Sequence, residues 1–357
     1  MKRNIILSLS VCFIFMISGN LFAQSEAACP SLLIAPGARA GGMGEANVAL
    51  AEDATATFWN PAGLGFQRGW ELSVMHANWL PQFHLGDLYY DFGSLIHHFE
   101  GLGTFGLQVI FLNLGEQEGR DEFDNPTGTF NSFEGAIGLS YGVQLSERLA
   151  VGGGMRFIYS KLADQGVGAE RGKGTGASVG VDLALLYKFG FINGLSFGVN
   201  LSNMGPKITY IDASQADPIP TNLKFGFAYK ILNTEYNKLT MVVDINKLMV
   251  VKKTNEKGET TSDPFYKALI TAWTTDGFNT QIKKANASIG LEYWYGNFFA
   301  LRAGYFYEDI GKRRFATFGA GIRYSMYGFD FGYIAGEQGH PLTDTMRFTL
   351  LIKFGTK

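Results

Sequence analysis

The sequence predicts an all-β protein, a 14-stranded antiparallel transmembrane β-barrel with an N-terminal plug segment. Three observations predict it. An export signal opens the chain, the remainder alternates apolar and polar residues in short segments, and the composition is rich in glycine and aromatics but poor in charge.

Lys2 and Arg3 form a short basic region, and Ile5 to Ile17 is an apolar run broken by Ser18, Gly19 and Asn20. That run is too short to cross a bilayer as a helix. Leu21-Phe22-Ala23 places a small residue before Gln24, so residues 1–23 read as a signal peptide cut after Ala23. The alternative, an uncleaved anchor, lacks stop-transfer charges after the apolar run. Beyond it no stretch approaches the ~20 apolar residues of a transmembrane helix, which argues against residence in the inner membrane. Aromatics make up 14% of the chain and charged residues 17%, with 46 glycines. Soluble domains carry roughly 25% charge. A formal net charge of −2 gives no electrostatic case for nucleic acid. Cys12 leaves with the signal, so Cys29 remains alone and the mature chain has no intrachain disulfide. Glu26-Ala27-Ala28-Cys29 lies far beyond the apolar run and lacks the usual leucine, which favours a packed thiol over lipidation.

Residues 69–357 read as the barrel. In the segment Val151 to Tyr159, one face carries Val151, Met155, Phe157 and Tyr159 and the other Gly152, Gly154 and Arg156. Leu223, Phe225, Phe227 and Tyr229 likewise oppose Lys224. Ala287, Ile289, Leu291 and Tyr293 oppose Glu292, and Leu301, Ala303 and Tyr305 oppose Arg302. Met346, Phe348, Leu350 and Ile352 oppose Arg347. Period two puts each apolar set towards lipid and each charge towards the lumen. Such segments fall near 70–79, 86–98, 102–113, 129–145, 148–162, 174–189, 194–204, 220–232, 238–251, 284–295, 298–308, 314–326, 328–336 and 343–355. Connections alternate short (around 100–101, 146–148, 191–193, 233–237, 296–297 and 327–328) with long (114–128, 163–173, 205–219 and 252–283). Short turns face the periplasm in bacterial barrels, which predicts both termini there. Phe354 ends the last segment and resembles the terminal aromatic signal of outer-membrane proteins, with three residues beyond it.

Residues 24–68 do not alternate and read as a plug. Pro61 biases Asn60 away from helix, so a short helix over 53–58 is expected to end near Asn60, whose side chain bonds the local backbone. Gly41, Gly42 and Gly44 allow close backbone approach. Arg39 has Asp53, Glu52 or a lumen carboxylate (Asp182, Asp244, Glu292 or Asp330) as candidate partners, which favours anchoring over ligand capture. The stretch from Ser31 to Leu64, with Asn60-Pro61-Ala62, resembles the PorV/PorQ family of outer-membrane proteins, which is similar to the long-chain fatty-acid transporter family. The resemblance implies a plug carrying an Asn-Pro-Ala motif in the barrel mouth or lumen. Pro36 to Gly44 looks closer to PorV than to PorQ.

Chemistry of other kinds finds no constellation. His97 and His98, adjacent on a strand, point to opposite faces and cannot share a lumenal metal ion, and Ser73 and His76, three apart, do the same, which leaves no hydrolase site. His84 and His340 read as interfacial or loop residues. Gly168 to Thr175 fails the phosphate-loop spacing, and Gly174 stands where Ser or Thr must follow lysine. No enzyme activity, cofactor or metal is expected. The family resemblance implies a type IX secretion component that binds secreted cargo through long outer loops, with the translocon, cargo C-terminal domains, attachment-complex proteins and outer-membrane lipid as partners. The alternative is a transporter for hydrophobic small molecules such as long-chain fatty acids, which the inward charges Arg156, Lys224, Arg302, Arg323 and Arg347 oppose in part. A general-diffusion porin ranks last, because a plug obstructs free passage.

Overall fold

The computed structural model describes residues 27–355, apart from 122, 164–173, 213–214 and 255–259. The signal peptide and most of the glycine-rich stretch 168–175 therefore lie outside the described residues. Alternation turns into strand wherever one face must meet lipid, because a closed ladder is the only extended arrangement that leaves no backbone group unpaired there.

The wall begins with β1 (Trp70–Asn78), β2 (Tyr89–Phe99), β3 (Gly103–Arg120), β4 (Pro126–Gln144) and β5 (Leu149–Lys161). It continues through β6 (Thr175–Lys188), β7 (Leu195–Met204), β8 (Asn222–Asn233) and β9 (Asn237–Leu248). A small hairpin, β10 (Lys252–Thr254) with β11 (Thr260–Ser262), stands apart. The wall then resumes with β12 (Asn286–Tyr295), β13 (Phe299–Glu308), β14 (Arg313–Tyr324), β15 (Tyr327–Gly336) and β16 (Met346–Phe354). Fourteen of these strands form one closed antiparallel barrel, in which each pairs with its neighbour in the chain except that β9 pairs with β12. Closure pairs β1 with β16 from Trp70↔Phe354 to Ala77↔Arg347.

Several boundaries differ from the sequence reading. The stretch 114–128, read as a loop, is mostly ladder: β3 and β4 remain paired from Gly115↔Ser132 to Arg120↔Pro126. Beyond the bilayer both faces of a hairpin meet water, so alternation lapses while the backbone pairing persists. The last short turn is at 325–326 rather than 327–328, and the long connection after β9 contains β10, β11 and helices at Phe265–Thr271 and Phe278–Lys283.

Residues facing outward include Leu107, Ile137, Leu139, Met155, Phe157, Leu183, Leu291, Leu301 and Phe348, all exposed apolar side chains. In water such a surface would drive aggregation, and in a bilayer it is the required solvent match. Aromatic belts bound it. At the short-turn end Trp70 stacks on Phe354 with ring centroids 5.8 Å apart, and Phe105 meets Tyr141 at 4.9 Å. At the long-loop end Tyr89, Phe111, Phe133 and Tyr159 follow one another around the wall at 5.7–6.1 Å. The apolar core lies inside, where Phe58, Trp59, Met43 and Leu50 of the plug pack against Tyr90, Phe92, Leu186 and Val242 of the wall.

Replacing outward Leu139 with Arg is expected to destabilise the barrel by about 2–4 kcal/mol in lipid vesicles, as a cation near the bilayer middle does, whereas Gln117→Arg on the projecting β3–β4 hairpin leaves stability within about 0.5 kcal/mol. Equilibrium unfolding in urea measures both, and equal costs would remove the assigned bilayer level.

Candidate functional site

Irregular chain inside a barrel must find partners for its amides, and the wall supplies them from inward-facing positions. The Ser31 amide donates to Glu134 at 3.1 Å and the Ala38 amide to the Thr349 hydroxyl at 2.9 Å. The Gly44 amide donates to Thr317 at 2.7 Å, and the Asn47 and Val48 amides share Asp244 at 2.6 and 2.9 Å. The Ala54 amide reaches Glu71 at 3.0 Å. Asp244 is thus an acceptor for plug backbone rather than a counter-ion for Arg39.

Arg39 sits in the short helix Ala38–Gly41 and spans from plug to wall. Its guanidinium donates to both oxygens of Glu292 at 2.7 and 2.8 Å and to Asp53 at 3.1 Å, with Glu52 3.7 Å away. Glu292 also accepts from Arg302 at 2.7 Å, Arg302 from its other end donates to Asp330 at 2.8 Å, and Asp330 accepts from Arg323 at 2.6 Å. One chain of alternating charge therefore joins Asp53 of the plug to β12, β13, β15 and β14. Burial works against ionised Asp53, but the Arg39 charge and the Thr55 hydroxyl outweigh it and hold the carboxyl below its ordinary value. Two further pairs complete the interior: Arg347 donates to Glu45 of the plug, and Arg156 to Asp182 within the wall. Asp182 also accepts the Asn203 amide at 2.8 Å, beside the register shift between β6 and β7. Lys224 lies over Phe58 and Trp59 of the plug, 4.3 and 4.8 Å from their ring centroids. Of the nine charged residues read as lumenal, Glu292, Arg302, Asp330 and Arg323 share one network, Arg156 pairs with Asp182 and Arg347 with Glu45, Asp244 takes plug amides, and Lys224 meets plug rings.

Asn60 ends the helix Ala56–Trp59, which starts three residues later than the sequence suggests. Its Oδ1 accepts the Ala62 amide at 3.0 Å, and its Nδ2 donates to the Val48 carbonyl at 2.9 Å and to Leu185 of the wall at 3.1 Å. Pro61 and Ala62 lie flat on β4 and β5: a Cβ at Gly142 or Gly152 would stand 2.4 Å from plug backbone. Gly42 abuts Gly319 and Gly41 abuts Arg347. Gly44, at φ +69°, packs on Gly304, where a Cβ would stand 2.1 Å from its nitrogen. The sequence reading placed Gly152 on the inner face but gave neither it nor Gly142, Gly304 and Gly319 a contact with the plug. Their signal was a glycine at an inward register position, indistinguishable there from ordinary wall glycine.

Where the chain enters is also decided here. Alanine and cysteine at the start of the described plug meet the long-loop end: the Ala28 amide donates to the Pro218 carbonyl at 2.9 Å, and the Cys29 thiol lies 3.6 Å from the Tyr210 hydroxyl. Phe354 lies at the short-turn end. Ala28 and Cys29 therefore stand at the opposite end of the barrel from Phe354, the last residue of β16. The plug runs the length of the lumen before β1 starts.

A model of the type IX secretion system protein PorV matches residues 23–255. The chain belongs to the PorV family. Fold and family together place it in the outer membrane. No protein among the curated ones matches it. Among solved structures it is similar to the Ralstonia pickettii toluene transporter TbuX, with a TM-score of 0.51 and 14% identity over 90% of this chain and 98% of that one. The P. putida toluene transporter TodX gives 0.54 and 13% over 90% and 99%. A Pseudomonas aeruginosa FadL homologue gives 0.51 and 11% over 89% and 98%. At such identities the likeness is one of fold.

Two outcomes test this interior. Glu292→Gln leaves Arg39 and Arg302 facing a neutral amide, so about 3–5 kcal/mol of stability is expected to go, with faster hydrogen exchange at Ala38–Gly44. Unaltered exchange there would show that Arg39 does not hold the plug. Cys29 is buried, and burial first, then the Glu134 charge, pushes its thiol up to about 12. At pH 8 it is expected to resist iodoacetamide in the folded barrel and to react after unfolding, because the thiolate is the nucleophile.

Proposed function

We propose that the chain serves type IX secretion as a non-enzymatic outer-membrane component that holds protein partners at its long-loop end, with that end outside the cell and the short turns in the periplasm. One observation carries the reading: the lumen is filled along its length by a plug bonded to the wall through Arg39–Glu292, Glu45–Arg347 and the amides received by Asp244. Structured elements stand instead beyond the long-loop rim, in the β3–β4 hairpin and the connection that carries β10, β11 and two helices. Secreted cargo, translocon and attachment-complex proteins are the partners that family membership supports.

A second reading, passage of hydrophobic small molecules, takes its support from the toluene transporters TbuX and TodX, barrels of like fold. The inward charges pair with each other or with the plug, which leaves an apolar passage little wall. Native mass spectrometry that finds a retained lipid or hydrocarbon after gentle extraction would favour it.

Replacing residues 252–283 with a short Gly-Ser linker is expected to leave a heat-modifiable, assembled barrel and to remove co-purifying secretion partners from a tagged envelope preparation. Unchanged partners would count against the long-loop end.

A further inference from the structure

The short-turn mouth holds a cavity of about 540 Å³, floored by Leu50, Gly63 and Phe66 of the plug and walled by Leu186 and Ala228. Four cations line it, Arg68, Lys188, Lys230 and Lys353, against two carboxylates, Glu52 and Glu71. Both carboxylates are already engaged. Glu71 accepts from Lys353 at 2.8 Å and from the Ala54 amide at 3.0 Å. Glu52 lies 3.1 Å from Lys230 and 3.7 Å from Arg39.

The remaining two cations have no carboxylate within ion-pair distance among the described residues. Lys188 places its Nζ 3.6 Å from the centroid of the Phe66 ring. Arg68 donates to the Gly65 and Gln67 carbonyls and to the Gln144 side-chain oxygen at 2.8–3.1 Å, all neutral acceptors. A concave site with low-dielectric walls concentrates the field of this excess of cations, four against two carboxylates, and its volume falls in the range of roughly 300–1,000 Å³ typical of small-molecule sites. A bare inorganic anion would leave most of that volume and the apolar wall unused.

We propose that this vestibule binds an amphiphile with a phosphate or carboxylate head and a short apolar body, the head on Lys188 and Arg68 and the body against Phe66, Leu186 and Ala228. The site lies at the opposite end from the partner surface proposed above and does not depend on that reading. Its head-group chemistry is shared by a soluble organic anion and by a lipid headgroup.

The test titrates butyl phosphate, inorganic phosphate and butanol into the full barrel in phosphatidylcholine nanodiscs, read by calorimetry. Butyl phosphate is expected to bind one per barrel, about ten-fold or more tighter than either of the others, and the R68Q/K188Q variant to lose about ten-fold or more of that affinity. The control K267Q/K283Q removes the same charge at the far end and leaves the affinity unaltered. Heat-modifiable mobility on gels confirms that both variants are folded. A weaker apparent affinity in nanodiscs containing phosphatidylglycerol identifies the lipid headgroup as a ligand, and an unchanged one identifies the soluble anion. Butanol binding as tightly as butyl phosphate, no binding of butyl phosphate, or full affinity in R68Q/K188Q would each overturn the proposal.

Discussion

Every backbone amide and carbonyl in this chain needs a partner where water is scarce, and most of the architecture answers that need. The wall meets it by closing, since pairing of β1 with β16 removes the last free edge. The plug cannot meet it in the same way, because its backbone is irregular. Its amides go instead to Glu71, Glu134, Asp244, Thr317 and Thr349, inward residues of the wall. Barrel and plug are therefore one hydrogen-bonded object.

That constraint explains why the interior is so highly charged in a charge-poor protein. An isolated buried charge is costly, so most inward ions are paired, and the longest series runs from Asp53 through Arg39, Glu292, Arg302 and Asp330 to Arg323. Such pairs add little net stability over apolar packing, but they are directional. A guanidinium held between two carboxylates fixes the plug in one position, which a uniformly greasy lumen would not do. Glycines supply the complementary part, bringing plug backbone into contact with wall backbone at Gly142, Gly152, Gly304 and Gly319.

The filled lumen shifts attention to the two ends. At the long-loop end the wall continues as a paired hairpin and a connection with its own helices. At the short-turn end the plug leaves a cavity with more cations than carboxylates. The Glu52 carboxylate lies beside Lys230 of that cavity and near Arg39 of the interior series, so mouth and anchor are neighbours.

The sequence by itself determined the wall. Period-two alternation is a local property, and Phe157 or Leu301 must face away from Arg156 or Arg302 whatever the rest of the chain does. Fourteen strands and the inward position of the charges followed, as did the helix stop at Asn60, since Pro61 acts on its immediate neighbour. Only the tertiary structure decided which charge meets which. Arg39 had six candidate carboxylates, and its choice of Glu292 and Asp53 rests on how β12 and the plug are placed across the lumen. The continuation of β3 and β4 past residue 114 was hidden for a related reason: outside the bilayer no solvent contrast imprints alternation on the chain. The direction of the plug was equally invisible, because Ala28 and Cys29 meet Pro218 and Tyr210 far along the sequence, and a contact of that kind exists only once the barrel has closed around it.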